Sequence, residues 1–316
     1  MSTTLLYDDT VFLQHDTGKH VECARRIEQV QQTLFTNLSP LTDAYRKCVW
    51  TKADKEDLLR VHTPAYLQQL ERLAERGGGR IEQDTILSPQ SFDVARYASG
   101  AACDAVVKVM EGEARSAFCL IRPPGHHALQ DGAMGFCLLN HVAIAAAHAR
   151  AVAGAERVLI IDWDVHHGNG TQDIFWTDSQ VAFLSIHRWP FYPGTGGAEE
   201  TGSGPGLGTT SNIPLAMGTS RPDYLDEFRK GIEKLAAKHQ PDLILLSAGF
   251  DAHHEDPIGS LGLIDEDFET LTRCVLDVAA VHCEGRVVSL LEGGYNPQAL
   301  ARCVKIHLNT LQKAGS

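Results

Sequence analysis

Residues 157–171 read Arg157-Val-Leu-Ile-Ile-Asp-Trp-Asp-Val-His-His-Gly-Asn-Gly-Thr171. The apolar run Val158 to Ile161 has the length of one buried strand. Asp162, Asp164, His166, His167 and Asn169 then follow, interspersed with Gly168 and Gly170. In extended chain, residues i and i+2 point the same way. Asp164 and His166 can therefore offer an oxygen and a nitrogen to one point, as two ligands of a divalent metal. The competing reading is a polar turn whose side chains satisfy one another, and D-x-H alone does not separate the two.

The same alternation recurs on both sides of this stretch. Thr3–Tyr7, 117–121, 158–161, 181–186, 243–246 and 287–291 read as strands. Helices are expected from Val21 to about Leu34, over Lys55–Ala74 around the turn His62-Thr-Pro64, and after Ser91, which is a candidate cap. Further helices are expected over 141–152, 222–239, 265–283 and from Pro297. Gly77-Gly-Gly79 reads as a break, and residues 84–91 and 190–214 as loops. Strands alternating with helices predict an α/β fold: a single three-layer α/β/α domain over residues 1–316 with a mainly parallel central sheet.

Composition narrows the function. The chain has 316 residues, 43% of them hydrophobic, enough for one large domain. It starts without a basic, apolar leader, and no apolar run is long enough to span a membrane. Eight scattered cysteines without a C-x-x-C pair fit a reduced, cytoplasmic protein. A net charge of −12 disfavours direct nucleic-acid binding and suits a cationic substrate.

His126/His127, Asp162–Asn169, Asp251 and Tyr295 each come just after an expected strand. Ligand sites in open parallel sheets lie beyond the carboxyl ends of strands, so these residues are expected to form one active site. Asp251 is the natural third ligand beside Asp164 and His166. Three protein ligands leave a fourth position free, as in a catalytic zinc site, although two carboxylates also suit Fe²⁺. His126 or His127 can take a proton from the attacking water and return it to a leaving amine. Asp162 and Asn169 are available to fix the histidine tautomers. The Tyr295 hydroxyl can donate to a developing oxyanion. Phe136 and Tyr192 are candidate walls of an apolar tunnel for a lysine stem.

Together these residues closely resemble the zinc-dependent deacetylases of the arginase/deacetylase fold, specifically the class II histone deacetylases and their bacterial relatives, which include acetylpolyamine amidohydrolases. The resemblance runs from about His15 to Tyr295. In order, R-P-P-G-H-H-A (122–128), G-F-C (135–137), D-W-D-V-H-H-G-N-G-T-Q (162–172), Y-P-G-T-G (192–196), S-A-G-F-D (247–251) and L-E-G-G-Y (291–295) carry it.

The resemblance implies one Zn²⁺ on Asp164, His166 and Asp251. It implies His127, paired with Asn169, as general base and acid, His126 with Asp162 as electrostatic partner, and Tyr295 polarising the carbonyl. It implies a structural K⁺ on Asp162 and Ser185 with carbonyls of Asp164, His166 and Ile186. A second cation would sit near Phe175, Asp178 and Val181. Asp84 or Thr85 would hold the substrate backbone, and Gly135, Phe136, Tyr192 and Ile258 would line the substrate. Asn169 and Trp163 point to class II. The family's H-P-E-x-P-x-R appears here as His20-Val-Glu-Cys-Ala-Arg-Arg26, without either proline, and Tyr192 stands where many members have phenylalanine.

The function implied first is removal of acetyl from lysine side chains of peptides or proteins, with release of acetate. Cleavage of acetylated polyamines is the alternative. There Glu22, Asp84 or Glu255 would draw the cation in place of a glutamate at Ile258. A dinuclear manganese hydrolase needs an aspartate where Gly168 stands, and a catalytically dead acyl-lysine binder would not need the complete set. Neither nucleic acid nor membrane is an expected partner, and self-association into a homo-oligomer is left open.

Overall fold

The structure, a computed structural model, describes residues 4–35 and 45–313; Thr3, expected to open the first strand, lies outside them. In chain order the strands are β1 (Thr4–Tyr7), β2 (Tyr45–Lys47), β3 (Gly79–Arg80), β4 (Ile86–Leu87), β5 (Ser116–Cys119), β6 (Val158–Asp162), β7 (Val181–Arg188), β8 (Thr210–Leu215), β9 (Leu243–Ala248) and β10 (Val287–Leu291). The helices are α1 (Arg25–Phe35), α2 (Lys55–Leu59), α3 (Pro64–Glu75), α4 (Ser91–Met110), α5 (His141–Ala151), α6 (Asn169–Phe175), α7 (Arg221–His239), α8 (Asp265–His282) and α9 (Pro297–Lys313). β3 and β4 form a small antiparallel hairpin. The other strands make one sheet in the order β2-β1-β5-β10-β9-β6-β7-β8, with every neighbouring pair parallel.

The inner strands of the large sheet are largely apolar because both of its faces are covered. Val158 and Ile160 of β6 join one apolar layer, and Leu159 and Ile161 the opposite one. Ala98, Ala102, Ala105 and Val109 of α4 cover the first face together with α5. Phe228 of α7, Phe268 of α8 and Val304 and Leu308 of α9 cover the second together with α1. This is the expected α/β/α arrangement. Among the described residues no helix is long and apolar enough to cross a membrane.

The chain leaves β6 for β7 and β8 on one side and returns to β9 on the other. Loops that diverge at such a switch leave a crevice beyond the strand ends. The loops after β6 and β9 carry Asp164, His166 and Asp251 to the two sides of it.

Several local expectations change. The helix expected from Val21 begins at Arg25, because Glu22 turns inward to two arginines. The helix expected over 55–74 divides into α2 and α3, the latter capped by Thr63, whose hydroxyl accepts the Tyr66 N–H at 3.3 Å. Ser91 does not cap α4. It is the first helical residue, and its hydroxyl accepts the Ser88 N–H at 2.7 Å. The break at Gly77-Gly-Gly79 is a tight turn into the hairpin, where a Cβ on Gly78 would lie 2.3 Å from the Leu87 carbonyl oxygen. The loop expected over 190–214 ends in β8, and β2 was not foreseen. Both are edge strands. One-sided edges need no continuous apolar run, and β8 begins Thr210-Ser-Asn212.

The His20–Arg26 segment is fixed by charge in place of prolines. Glu22 is fully buried between Arg26 (3.1 Å) and Arg122 (2.6 Å and 2.8 Å), with His15 Nε2 at 3.3 Å. Arg26 in turn donates to the carbonyls of Glu292 and Gly294. Arg122 donates to that of Phe12. Burial pushes the Glu22 carboxyl up, but Arg122 and His15 outweigh it and hold it well below the ordinary carboxylate range. A carboxyl depressed in the fold stabilises fully above its unfolded value of about 4.3. That stability is lost as pH falls through the depressed folded value. Glu22→Gln, which leaves two buried guanidinium groups undercompensated, is expected to cost roughly 3–5 kcal/mol. Denaturant melts at neutral pH and across the acid range check this. A variant as stable as wild type, with an unchanged acid limb, removes Glu22 from the fold's electrostatic support.

Candidate active site

β6 ends in Asp162, registered beside Ser185 of β7 and Ser247 of β9. Its carboxylate accepts the Asp164 N–H (3.0 Å) and meets His126 Nδ1 (2.9 Å). Asp164 accepts the His166 N–H (2.9 Å) and the Gly293 N–H (2.8 Å). Asp251 accepts the Val165 N–H on Oδ1 (2.9 Å). Backbone donors thus hold all three carboxylates still.

Asp164, His166 and Asp251 converge. His166 Nδ1 lies 3.0 Å from Asp164 Oδ1 and 3.2 Å from Asp251 Oδ2. Ligand bonds of ~2.0–2.1 Å in a tetrahedral site give a ligand–ligand edge of about 3.3 Å. Asp251 Oδ2 is buried without a hydrogen-bond partner. Burial, then repulsion from Asp164, pushes the Asp251 carboxyl up to about 7. An unsatisfied acceptor, buried negative charge and tetrahedral spacing all fit a divalent cation. The surrounding glycines are steric necessities: a Cβ on Gly249 would lie 2.2 Å from Asp164 Oδ2, and one on Gly293 2.2 Å from Asp251 Oδ2. Gly168 has no room for the aspartate of a two-metal site, since a Cβ there would sit 2.2 Å from Asp162 Oδ2.

The histidine pair follows β5. Asn140 caps α5 through its side-chain oxygen and donates its amide to the Ala128 carbonyl (3.2 Å), anchoring the loop's far end. The two rings are 4.0 Å apart between centroids. His127 Nδ1 is 2.7 Å from Asn169 Oδ1. An amide oxygen only accepts, so Nδ1 carries the proton and Nε2 keeps its lone pair. Burial and the neighbouring His126 and His166 hold His127 well below the ordinary histidine range. Burial also opposes charge on His126, but Asp162 and Asp164 outweigh it and raise His126 well above that range. The two environments push the neighbouring imidazoles apart, His127 towards the neutral form and His126 towards the cationic one, as in an acid–base site.

Tyr295 is buried and stays a phenol because burial raises it well above the usual tyrosine range. The Arg26 guanidinium lies 4.9 Å from its ring centroid. Phe136 meets the Tyr295 ring edge-on at 5.7 Å, and Tyr192 meets the His127 ring at 5.2 Å. Phe136 holds a left-handed φ of 70°, a strained conformation for a bulky residue. Its N–H donates to Thr85 Oγ1 (3.0 Å). Gly135 packs flat on His127, where a Cβ would meet the ring at 2.4 Å.

Asp84 is half-buried on the hairpin beside Thr85, and Ile258 is half-buried beyond Asp251. Ser185 is buried with its hydroxyl 2.9 Å from His187 Nδ1, and Ile186 follows it on β7. The Phe175 carbonyl accepts the Asp178 N–H (3.0 Å), and Val181 opens β7. Of the rim acids weighed from sequence, Glu22 does not reach solvent, and Glu255 is paired with Arg302 at 3.2 Å.

Sequence reasoning missed Arg26, Glu292, Asp256 and Phe191. Asp256 accepts the Tyr295 N–H at 2.7 Å. Phe191 stacks on His166 at 5.2 Å and itself receives the Arg188 guanidinium at 4.1 Å. The doubled glycine before Tyr295 and the doubled aromatic at 191–192 were the available signals.

A parallel α/β sheet that brings two carboxylates, a histidine between them, a histidine pair and a tyrosine to one rim is the framework of a hydrolase. The chain belongs to the histone deacetylase family, whose histone deacetylase domain matches residues 20–311. It is 41% identical over 252 residues to the histone deacetylase-like amidohydrolase of Pseudomonas aeruginosa, covering 79% of this chain and 66% of that protein. It is 38% identical over 317 residues to the chloroplastic histone deacetylase 14 of Arabidopsis thaliana, covering 95% and 74%. Its fold matches the crystal structure of the HDA15 HD domain with a TM-score of 0.93, at 34% identity, over 99% of this chain and 90% of that one. The arginase/deacetylase fold expected from the sequence is the fold present.

Asp164, His166 and Asp251 could together hold a metal ion, and losing one of three such groups would leave too few. Asp164→Ala and Asp251→Ala are each expected to lose bound metal and turnover together, checked by elemental analysis of the purified variants. Stoichiometric metal with near-normal activity in either would take that residue out of the ligand set.

Proposed function

We propose that this chain is a zinc-dependent amidohydrolase that removes acetyl groups from lysine side chains and releases acetate. The carrying observation is the neutral, Asn169-tethered His127 beside the Asp164–His166–Asp251 cluster. Those three residues would hold a zinc ion, which would supply a Lewis acid for the amide carbonyl and lower the pKa of water. His127 Nε2 takes the proton of the attacking water as the oxygen–carbon bond forms, and returns it to the amine as the carbon–nitrogen bond breaks. Cationic His126 offsets the negative charge that develops, and the Tyr295 phenol donates to the oxyanion. Phe136 and Tyr192 flank the lysine stem and keep water from it. Asp162, Ser185 and Ile186 would hold a structural K⁺, and Phe175, Asp178 and Val181 a second cation. Residues 1–316 act as one catalytic domain of class II type, on the strength of Asn169 and Trp163. The eight free cysteines support a reducing, cytoplasmic setting.

A second substrate class, acetylated polyamines, is favoured by the acids Glu82 and Asp84 on the hairpin beside Phe136. Comparing kcat/KM for acetyl-lysine peptides and for acetylated putrescine, cadaverine and spermidine separates the two. The peptide is expected to win, because Ile258 offers no charge to a second ammonium. Ile258→Glu adds a charge-assisted contact worth about 1.5–3 kcal/mol. It should raise relative activity on acetylpolyamines about tenfold or more. If wild type cleaves an acetylpolyamine better than every peptide tried, the lysine reading gives way to the second.

Tyr295→Phe is expected to lower kcat by roughly 10²–10³, as for other single oxyanion donors, with metal content unchanged. A variant within about twofold of wild type contradicts the donor role.

A further inference from the structure

Glu292 lies between the end of β10 and the glycines leading to Tyr295. Its side chain is buried, at 1% exposure, and takes no part in the chemistry above. One oxygen, Oε2, accepts the N–H groups of both Gly125 (2.6 Å) and His126 (3.2 Å). The other accepts the Ser247 hydroxyl (3.1 Å). Its own N–H donates to the Ala248 carbonyl (3.1 Å), and its carbonyl accepts from Arg26. One residue thus joins the loop after β5 and the end of β9 to the segment after β10, and these lead to the histidine pair, Asp251 and Tyr295. On the opposite side Gly125 is pressed against the start of α5, where a Cβ would lie 2.8 Å from the His141 nitrogen. The loop is clamped between α5 and the carboxylate.

We propose that Glu292 is a positioning residue: it fixes the backbone of Gly125 and His126, so that His127 Nε2 is held against the ligand cluster in the deacetylase reading, on which this inference rests. The work is done by acceptor geometry, not by charge. Glutamine can reproduce it, with its oxygen towards the two N–H groups and its amide towards Ser247, whose hydroxyl also accepts. Aspartate keeps the charge but is one methylene short of the loop.

The test compares wild type with Glu292→Gln, Glu292→Asp and Glu292→Ala by two readouts. The first is amide hydrogen exchange of Gly125 and His126. Aspartate and alanine are expected to speed it about tenfold or more, the effect of losing a buried hydrogen bond, while glutamine leaves it near wild type. The second is turnover of an acetyl-lysine peptide. Aspartate and alanine should lower kcat about tenfold or more with KM little changed, and glutamine should stay within about threefold. A general loss of fold would move KM and global exchange as well. Should the alanine variant not fold, the glutamine–aspartate order decides. Aspartate equal to or better than glutamine overturns the proposal, as does alanine with wild-type exchange and kcat. A wild type that cleaves no acetyl substrate sinks the deacetylase reading alone, because the exchange readout still decides whether Glu292 holds the loop.

Discussion

Four buried carboxylates, Asp162, Asp164, Asp251 and Glu292, crowd the carboxyl ends of β6, β9 and β10, and the surrounding structure answers their repulsion. Taking charges out of water costs several kcal/mol each unless they are paired or hydrogen-bonded. Every one of them accepts at least one backbone N–H. Asp162 and Asp164 draw His126 towards its cationic form, and Arg26 brings fixed positive charge close to Tyr295. What remains uncompensated lies at Asp251 Oδ2, the one atom of the cluster that finds no donor. The demand for a cation is thereby focused on the point where His166 also looks.

That focusing works only because small residues leave room for it. Gly168, Gly249 and Gly293 each stand where a methyl group would collide with a carboxylate oxygen. The doubled glycines and short apolar runs of the sequence are two sides of one arrangement: strands deliver the acids, and glycines let the strand ends approach one another. Gly168 also settles how much charge the pocket can take, since no further acid fits beside His166.

The parts of this arrangement legible in the sequence are those written locally. The strand from Val158, the D-x-D-x-H spacing and the placement of His126, Asp251 and Tyr295 after apolar runs could be read without a structure, because both sheet faces are covered and a buried parallel strand is a continuous apolar word. Edge strands β2 and β8 escaped, since each has one open side and a mixed composition. Ser91 has a cap's identity but not its place, because its hydroxyl bonds to the preceding turn. Glu22, Arg26 and Glu292 looked like ordinary charged residues. Their burial depends on partners 100 to 268 positions away, and no local pattern announces such pairs.

The strand order has a consequence for how the protein comes into being. Val165 and Asp251, hydrogen-bonded in the finished site, are 86 positions apart, and Asp164 and Gly293 are 129 apart. The central strand β5 must wait for β10 before it is enclosed. At roughly 5–20 residues per second of synthesis, Asp251 emerges about 4–17 s after Asp164. During that interval the nascent chain holds two of the three groups that could bind a metal ion, and an uncovered strand edge. Parallel pairing between distant segments folds slowly for the same entropic reason. The cluster is therefore completed late in translation: a fragment ending before Asp251 would carry Asp164 and His166 but neither Asp251 nor the Gly293 N–H that Asp164 accepts.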